Sequence, residues 1–263
     1  MKNLPDIKAD NHVHTRLCNH AHGEMEEYVL AAIKAGLRTL TFLEHLEVGI
    51  NYDHRTWLTD DDFDLYFKEG RRLKKWYADR ITIRLGVETG YNPNAVADLR
   101  ERLANYPWDL IGLSYHFYHN GFRHLNMVSR RQDNLDALAV IGVDRIISDY
   151  FSSLLQAIDM LDCDVLCHLD AVMRHYPGVR FNEIHLQQID QLLKAMKKKG
   201  MALEINTSGF AIRGEPYPRA SIIGKAVGLG IPLIAGSDAH QPEHVGRYFD
   251  RLPEWIERIT KLK

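Results

Sequence analysis

His12 and His14 flank a single valine, and His20 follows six residues later. Side chains alternate across a strand, so residues two apart point the same way. Two neutral imidazoles side by side at a strand's end can both donate to one divalent ion. A third histidine in the following loop could hold another. An isolated His-x-His is a weak signal, because short motifs recur by chance. Its weight depends on whether the rest of the chain supplies partners.

The elements that would position such partners alternate along all 263 residues. Apolar runs predict strands at 7–14, 39–43, 81–87, 110–113, 165–167, 201–205 and 231–235. Amphipathic spacing predicts helices at 24–34, 62–78, 94–105, 146–161, 184–199 and 220–229, and a closing helix at 255–262. Gly36 is expected to close the first helix and Asn94 to cap the third. The run Lys197-Lys198-Lys199 before Gly200 reads as a helix end, where cations oppose the dipole. Seven β-α units with no linker predict one domain over 1–263, with a parallel sheet that is either a barrel or open. Segment 117–143 is the longest stretch without a clear element, expected as a loop over a site or a surface excursion.

In a β/α barrel the active site gathers at the carboxyl ends of the strands. Those ends carry His12 and His14, then Glu44-His45, Glu88, His116, His168 with Asp170, Glu204 with Asn206, and Asp238 with His240. Nitrogen and oxygen donors without thiolate suit Zn, Mn or Fe. Cys18 has no second cysteine near it and reads as a small buried residue. The donors exceed what one ion needs, so a multinuclear centre is expected. Closely spaced divalent ions suit phosphoester hydrolysis: they generate hydroxide at neutral pH and clamp the phosphoryl oxygens. Arg174, Arg213 and Arg219 follow the fifth and sixth strands and could grip a phosphate. Asp170, Asn206 and Glu215 could meet an amino group or imidazole of a substrate. No residue stands out as a general acid.

Composition narrows the partners. With 33 basic and 35 acidic residues the net charge is −2, which gives no footprint for nucleic acid. The expected partner is a small phosphorylated substrate. Three cysteines without a CxxC argue against a disulfide framework and for a reducing compartment. The first six residues lack an apolar signal core, and no apolar run approaches about 18 residues. No membrane partner is expected, and the cytoplasm is the expected location. Oligomeric state is left open.

Several of these stretches occur together and in order: Asp10-Asn11-His12-Val13-His14 with His20, Gly86-Val87-Glu88, His168-Leu169-Asp170, Leu203-Glu204-Ile205-Asn206-Thr207-Ser208-Gly209 and Gly236-Ser237-Asp238-Ala239-His240. Together they resemble the polymerase and histidinol phosphatase (PHP) family over nearly the whole chain, nearest to its histidinol-phosphatase branch. The resemblance implies a distorted seven-stranded (β/α)7 TIM-like barrel holding three divalent transition-metal ions. Carried over, His12, His14, Glu88 and Asp238 would hold the first ion. Glu88 would bridge to the second, completed by His116 and His168, and His20, His45 and His240 would hold the third. The implied reaction is hydrolysis of L-histidinol phosphate to L-histidinol and phosphate, a step of histidine biosynthesis, by attack of metal-bound hydroxide. The second motif departs from the family, with Leu43 where a threonine is usual. The alternatives are another PHP phosphoesterase acting on a different small ester or on nucleotides, and a non-catalytic metal-binding regulatory module. Against the latter, every carried-over position keeps a side chain able to bind metal.

Overall fold

Parallel strands cannot be joined by tight hairpins, so each needs a crossover, usually a helix. That is the pattern in the computed structural model of the chain, which describes residues 4–261. In order, it runs β1 (Ala9–Val13), α1 (Met25–Lys34), β2 (Thr39–Glu47), α2 (Asp60–Trp76), β3 (Thr82–Gly90), α3 (Val96–Ala104) and β4 (Ile111–Ser114). A short hairpin, β5 (Phe117–His119) and β6 (His124–Asn126), leads to α4 (Gln132–Ile141) and α5 (Val143–Met160). Then come β7 (Val165–Leu166), α6 (Glu183–Lys199), β8 (Ala202–Asn206), α7 (Gly209–Arg213), α8 (Ala220–Leu229), β9 (Leu233–Gly236) and α9 (Leu252–Lys261). The closing helix was expected to reach residue 262, which lies outside the described residues.

The main sheet has the order β1-β2-β3-β4-β7-β8-β9, with every neighbouring pair parallel. Its two ends meet. Val13 bridges Ala239, and the His14 amide donates to the Ala239 carbonyl at 2.9 Å. The sheet is therefore a distorted (β/α)7 TIM-like barrel, of the two forms that the alternation allows. Among the described residues, no helix is long and apolar enough to cross a membrane.

Local signals explain most boundaries. A capping box between Glu24 and Glu27 starts α1, and one between Asn182 and His185 starts α6. Gly200 ends α6 at φ 73°, with the lysine run in its last turn as expected. Some boundaries differ from the sequence reading. Thr59 caps α2 through Asp62, so that helix begins at Asp60. Asn94 does not cap α3: Ala95 holds that position, and the Asn94 amide donates to the Asn92 side chain. β2 and β3 run on to Glu47 and Gly90, so His45 and Glu88 lie within strands rather than beyond them. Segment 117–143 is no loop: it holds the β5-β6 hairpin and α4. Three-residue strands are too short to show a period in sequence.

Leu43 finds a role inside the barrel. It packs with Val165 and Cys167 in a small apolar cluster separate from the main core. Room for it comes from two glycines on adjacent strands. A Cβ on Gly86 would stand 2.9 Å from Leu43 Cδ1, and one on Gly112 would stand 3.0 Å from Leu43 Cδ2. Where the family pattern has a hydroxyl, this chain has an apolar plug beneath the site.

Candidate metal centre

β1, β2 and β3 deliver His12, His45 and Glu88 from within the strands, and the turns after β1, β4, β7 and β9 add His14, His116, His168 and Asp238. His168 and Asp238 take positive φ, 25° and 50°. Their backbones turn out of the strand path and aim the side chains across the barrel mouth. All seven are buried, and His20 and His240 close the cluster on its more open side. The structure thus brings together all nine sequence-expected ligands.

Hydrogen bonds decide which ring nitrogens are free. His12 Nδ1 donates to Glu204 Oε1 at 2.6 Å, and His116 Nδ1 donates to Glu47 Oε1 at 2.8 Å. His20 Nδ1 donates to the Cys18 carbonyl at 3.0 Å, and His240 Nδ1 to that of Asp238 at 3.1 Å. In the neutral ring, with the proton on Nδ1, each Nε2 carries a lone pair. His20 Nε2 and His240 Nε2 face each other at 2.9 Å. His12 Nε2 lies 2.9 Å from His14 Nε2, beside Glu88 Oε2 at 3.4 Å and Asp238 Oδ1 at 3.9 Å. Glu88 Oε2 also stands 3.0 Å from His45 Nδ1, while Glu88 Oε1 stands 2.7 Å from His168 Nε2 and 3.3 Å from His116 Nε2. A divalent cation seated between such nitrogens would satisfy lone pairs turned on one another.

The electrostatics divide the rings: against burial, Glu204 and Glu88 hold His12 well above the usual histidine range, and Glu88 and Glu47 hold His116 up to about 10, whereas His14, His20 and His240 are held down. Burial, helped by His45 and His240, holds His14 well below the usual histidine range and His20 down to about 3. Burial, with His45 adding, holds His240 at about 4 against the pull of Asp238. Neutral imidazole is the form that binds metal. Burial works to raise Glu88, yet the surrounding His116, His12, His45 and His168 keep it well below the carboxylate range. Glu88 Oε2 and the Nδ1 atoms of His14 and His168 are buried without a hydrogen-bond partner. The donor set fits divalent metal.

The clusters overlap more than the sequence reading assumes. Close donor groups form at His12/His14/Asp238, at His12/Glu88/His168, at His45/Glu88/His116 and at His14/His45/His240. His14 and His45 stack with ring centres 4.1 Å apart, so both rings border more than one cluster.

From sequence, Glu204 is one of the strand-end donors and Glu47 goes unnamed, and neither has a place behind a ring. Glu204 holds His12 and also accepts from the His168 amide at 2.8 Å and from Asn206 Nδ2 at 3.2 Å. Glu47 holds His116. The available signal was Glu204's place near a strand end and the alternation that turns it inward with Asn206. Partners of this kind fix ring orientation, and losing one costs about 10–100-fold in metal affinity. Glu204→Gln is therefore expected to bind metal about 10–100-fold more weakly while staying folded. Competition with a chromophoric chelator measures this, and unchanged affinity would remove Glu204 from the role.

The six other sequence-expected residues separate. Arg174 lines the cavity of about 120 Å³ over the metal centre, together with Thr56, Phe117, Asn126 and Val128. Asp170 is engaged by cations: Arg213 grips it with two hydrogen bonds at 3.0 and 3.1 Å, and Arg219 Nε donates to it at 3.0 Å. Glu215 Oε2 accepts from the Ala220 amide, and Asn206 Oδ1 accepts from Ser208 Oγ at 2.5 Å. None of Asp170, Arg213, Arg219, Glu215 or Asn206 lines that cavity.

A seven-stranded β/α barrel with clustered His, Glu and Asp at the strand ends defines a barrel-type metallohydrolase. The chain belongs to the PHP domain family, whose profile matches residues 10–208, and a PHP-associated segment matches 226–258. It is 29% identical over 250 residues to a Deinococcus radiodurans protein named "probable histidinol-phosphatase", covering 93% of this chain and 91% of that one. It is 26% identical over 264 residues to the histidinol-phosphatase of Bacillus subtilis, covering 94% and 98%. The fold matches, at TM-score 0.75 and 19% identity, that of histidinol phosphate phosphatase from Lactococcus lactis complexed with Zn, L-histidinol and phosphate. That match covers 95% of this chain and 93% of the other.

Proposed function

We propose that the chain is a metal-dependent phosphomonoesterase that hydrolyses L-histidinol phosphate to L-histidinol and inorganic phosphate, using three divalent transition-metal ions. The observation that carries this reading is the set of ring nitrogens left as lone-pair donors, converging with Glu88 and Asp238 at the barrel mouth. Histidinol-phosphatases among the full-length relatives support the choice of alcohol.

His12, His14, Glu88 and Asp238 would hold one ion, Glu88, His116 and His168 a second, and His20, His45 and His240 a third. Bound there, the ions would supply an activated water at neutral pH and positive charge against the phosphoryl oxygens. Arg174, with its guanidinium 3.9 Å from Asp238 Oδ2, is placed to grip a further phosphoryl oxygen. Glu204 and Glu47 keep the His12 and His116 rings turned toward the centre. The oxygen of water bonds phosphorus, the bridging P–O bond breaks, and the alcohol leaves with a proton. No side chain need carry the phosphoryl group.

The test is a panel with metal-loaded protein: L-histidinol phosphate, nucleoside monophosphates and a single-stranded oligonucleotide. The highest kcat/KM is expected for L-histidinol phosphate. Preference for a nucleotide substrate would shift the activity to another PHP phosphoesterase. No bound transition metal and no turnover after metal addition would leave a non-catalytic module.

A further inference from the structure

The metal centre opens into a second cavity of about 340 Å³. It shares His20, Arg174, Asp238 and His240 with the inner one, so an ester seated over the centre can extend its alcohol portion into it. The lining is strongly one-signed. It holds Arg130, Arg174 and Arg247 against one carboxylate, Asp238, which already faces the metal cluster.

The three guanidiniums are set at different depths. Arg247 is half-buried; its Nε donates to the Ser237 carbonyl at 3.0 Å and one Nη to that of Asp238 at 3.2 Å. Its other Nη lies 3.3 Å from His244 Nδ1. These partners are neutral, so they fix the group without cancelling its charge. Arg174 reaches its carboxylate only at 3.9 Å, and its buried Nε has no hydrogen-bond partner. Arg130 stands exposed at the rim. The field reaches beyond the lining: burial, then the charges of Arg174 and Arg130, hold His175 at about 4. A carboxylate entering here would meet charge-assisted donors.

We propose that this vestibule receives an acidic group on the alcohol portion of the ester, so that the chain also hydrolyses phosphomonoesters of hydroxy acids. The inference rests on the metallophosphatase reading of the centre, not on histidinol as the alcohol. For O-phospho-L-serine, water bonds phosphorus, the ester P–O bond breaks, and the serine oxygen takes up the proton, giving serine and inorganic phosphate. Phosphoethanolamine is the same ester without the carboxylate, so the pair isolates the acid.

With metal-loaded protein, kcat/KM for phosphoserine is expected to exceed that for phosphoethanolamine at least about tenfold, the effect of one charge-assisted hydrogen bond. Arg130→Met should cut that ratio several-fold, Arg130→Lys should keep part of it, and added salt should shrink it. A ratio of one or less, or a ratio unchanged by R130M, overturns the proposal. Turnover of L-histidinol phosphate without any of phosphoserine overturns it too, and leaves the function above standing. No turnover of any of the three removes both.

Discussion

Asp238→Ala is expected to lower kcat by at least about a thousandfold, with the barrel intact. The loss of Lewis-acid help to a phosphoryl oxygen is worth several kcal/mol, and about 4 kcal/mol corresponds to about a thousandfold. Asp238 places Oδ1 3.5 Å from His14 Nε2 and 3.9 Å from His12 Nε2, so its removal opens one side of that cluster. Its backbone sits at φ 50°, a region that aspartate and asparagine tolerate better than alanine. Asp238→Asn is therefore the companion variant: it keeps the turn and removes only the charge. His12→Ala should behave as Asp238→Ala does. Turnover, circular dichroism and metal content per chain are the measurements. Full phosphatase activity in a folded variant would end the metal reading of these residues.

Stripping the ions from the protein is expected to abolish turnover and lower the melting temperature by roughly 10 °C. A ligand at a thousand times its dissociation constant stabilises the folded state by about 4 kcal/mol, and each kcal/mol moves a chain of this size by about 2–4 °C. The physical cause lies in Glu88 and the rings around it, whose unpartnered buried atoms have no other compensation. Scanning calorimetry before and after dialysis against a strong chelator measures the shift. Adding back Zn, Mn and Fe singly then ranks the metals. Equal melting curves and equal activity after complete stripping would contradict the assignment.

Much of this site is legible in the chain because of where its residues fall. His12, His45, Glu88, His116, His168, Asp238 and His240 each sit at or just beyond a short apolar run, and a parallel barrel brings all such places to one rim. The proton partners are harder to read. Glu204 meets His12 across 192 residues of sequence, and no local pattern announces which carboxylate stands behind which ring. The same holds for Asp170. Its position invites a role in substrate recognition, yet only the tertiary structure shows two arginines gripping it. The β5-β6 hairpin escapes for another reason. Each strand has three residues, and Phe117 and Asn126 reach the inner cavity through long-range packing rather than periodicity. The apolar plug at Leu43 likewise depends on glycines far from it in sequence, Gly86 on the next strand and Gly112 on the one after.

The meeting of the first and last barrel strands has a consequence for the order of events during synthesis. β1 emerges early with His12 and His14, but Ala239 and the donors Asp238 and His240 emerge more than 220 residues later. Until then the sheet has two open edges, and the first motif faces no partner across the gap. Metal capture at that seam must therefore wait for β9 and the turn after it. Divalent ions held there would act as a clasp across the closed ring.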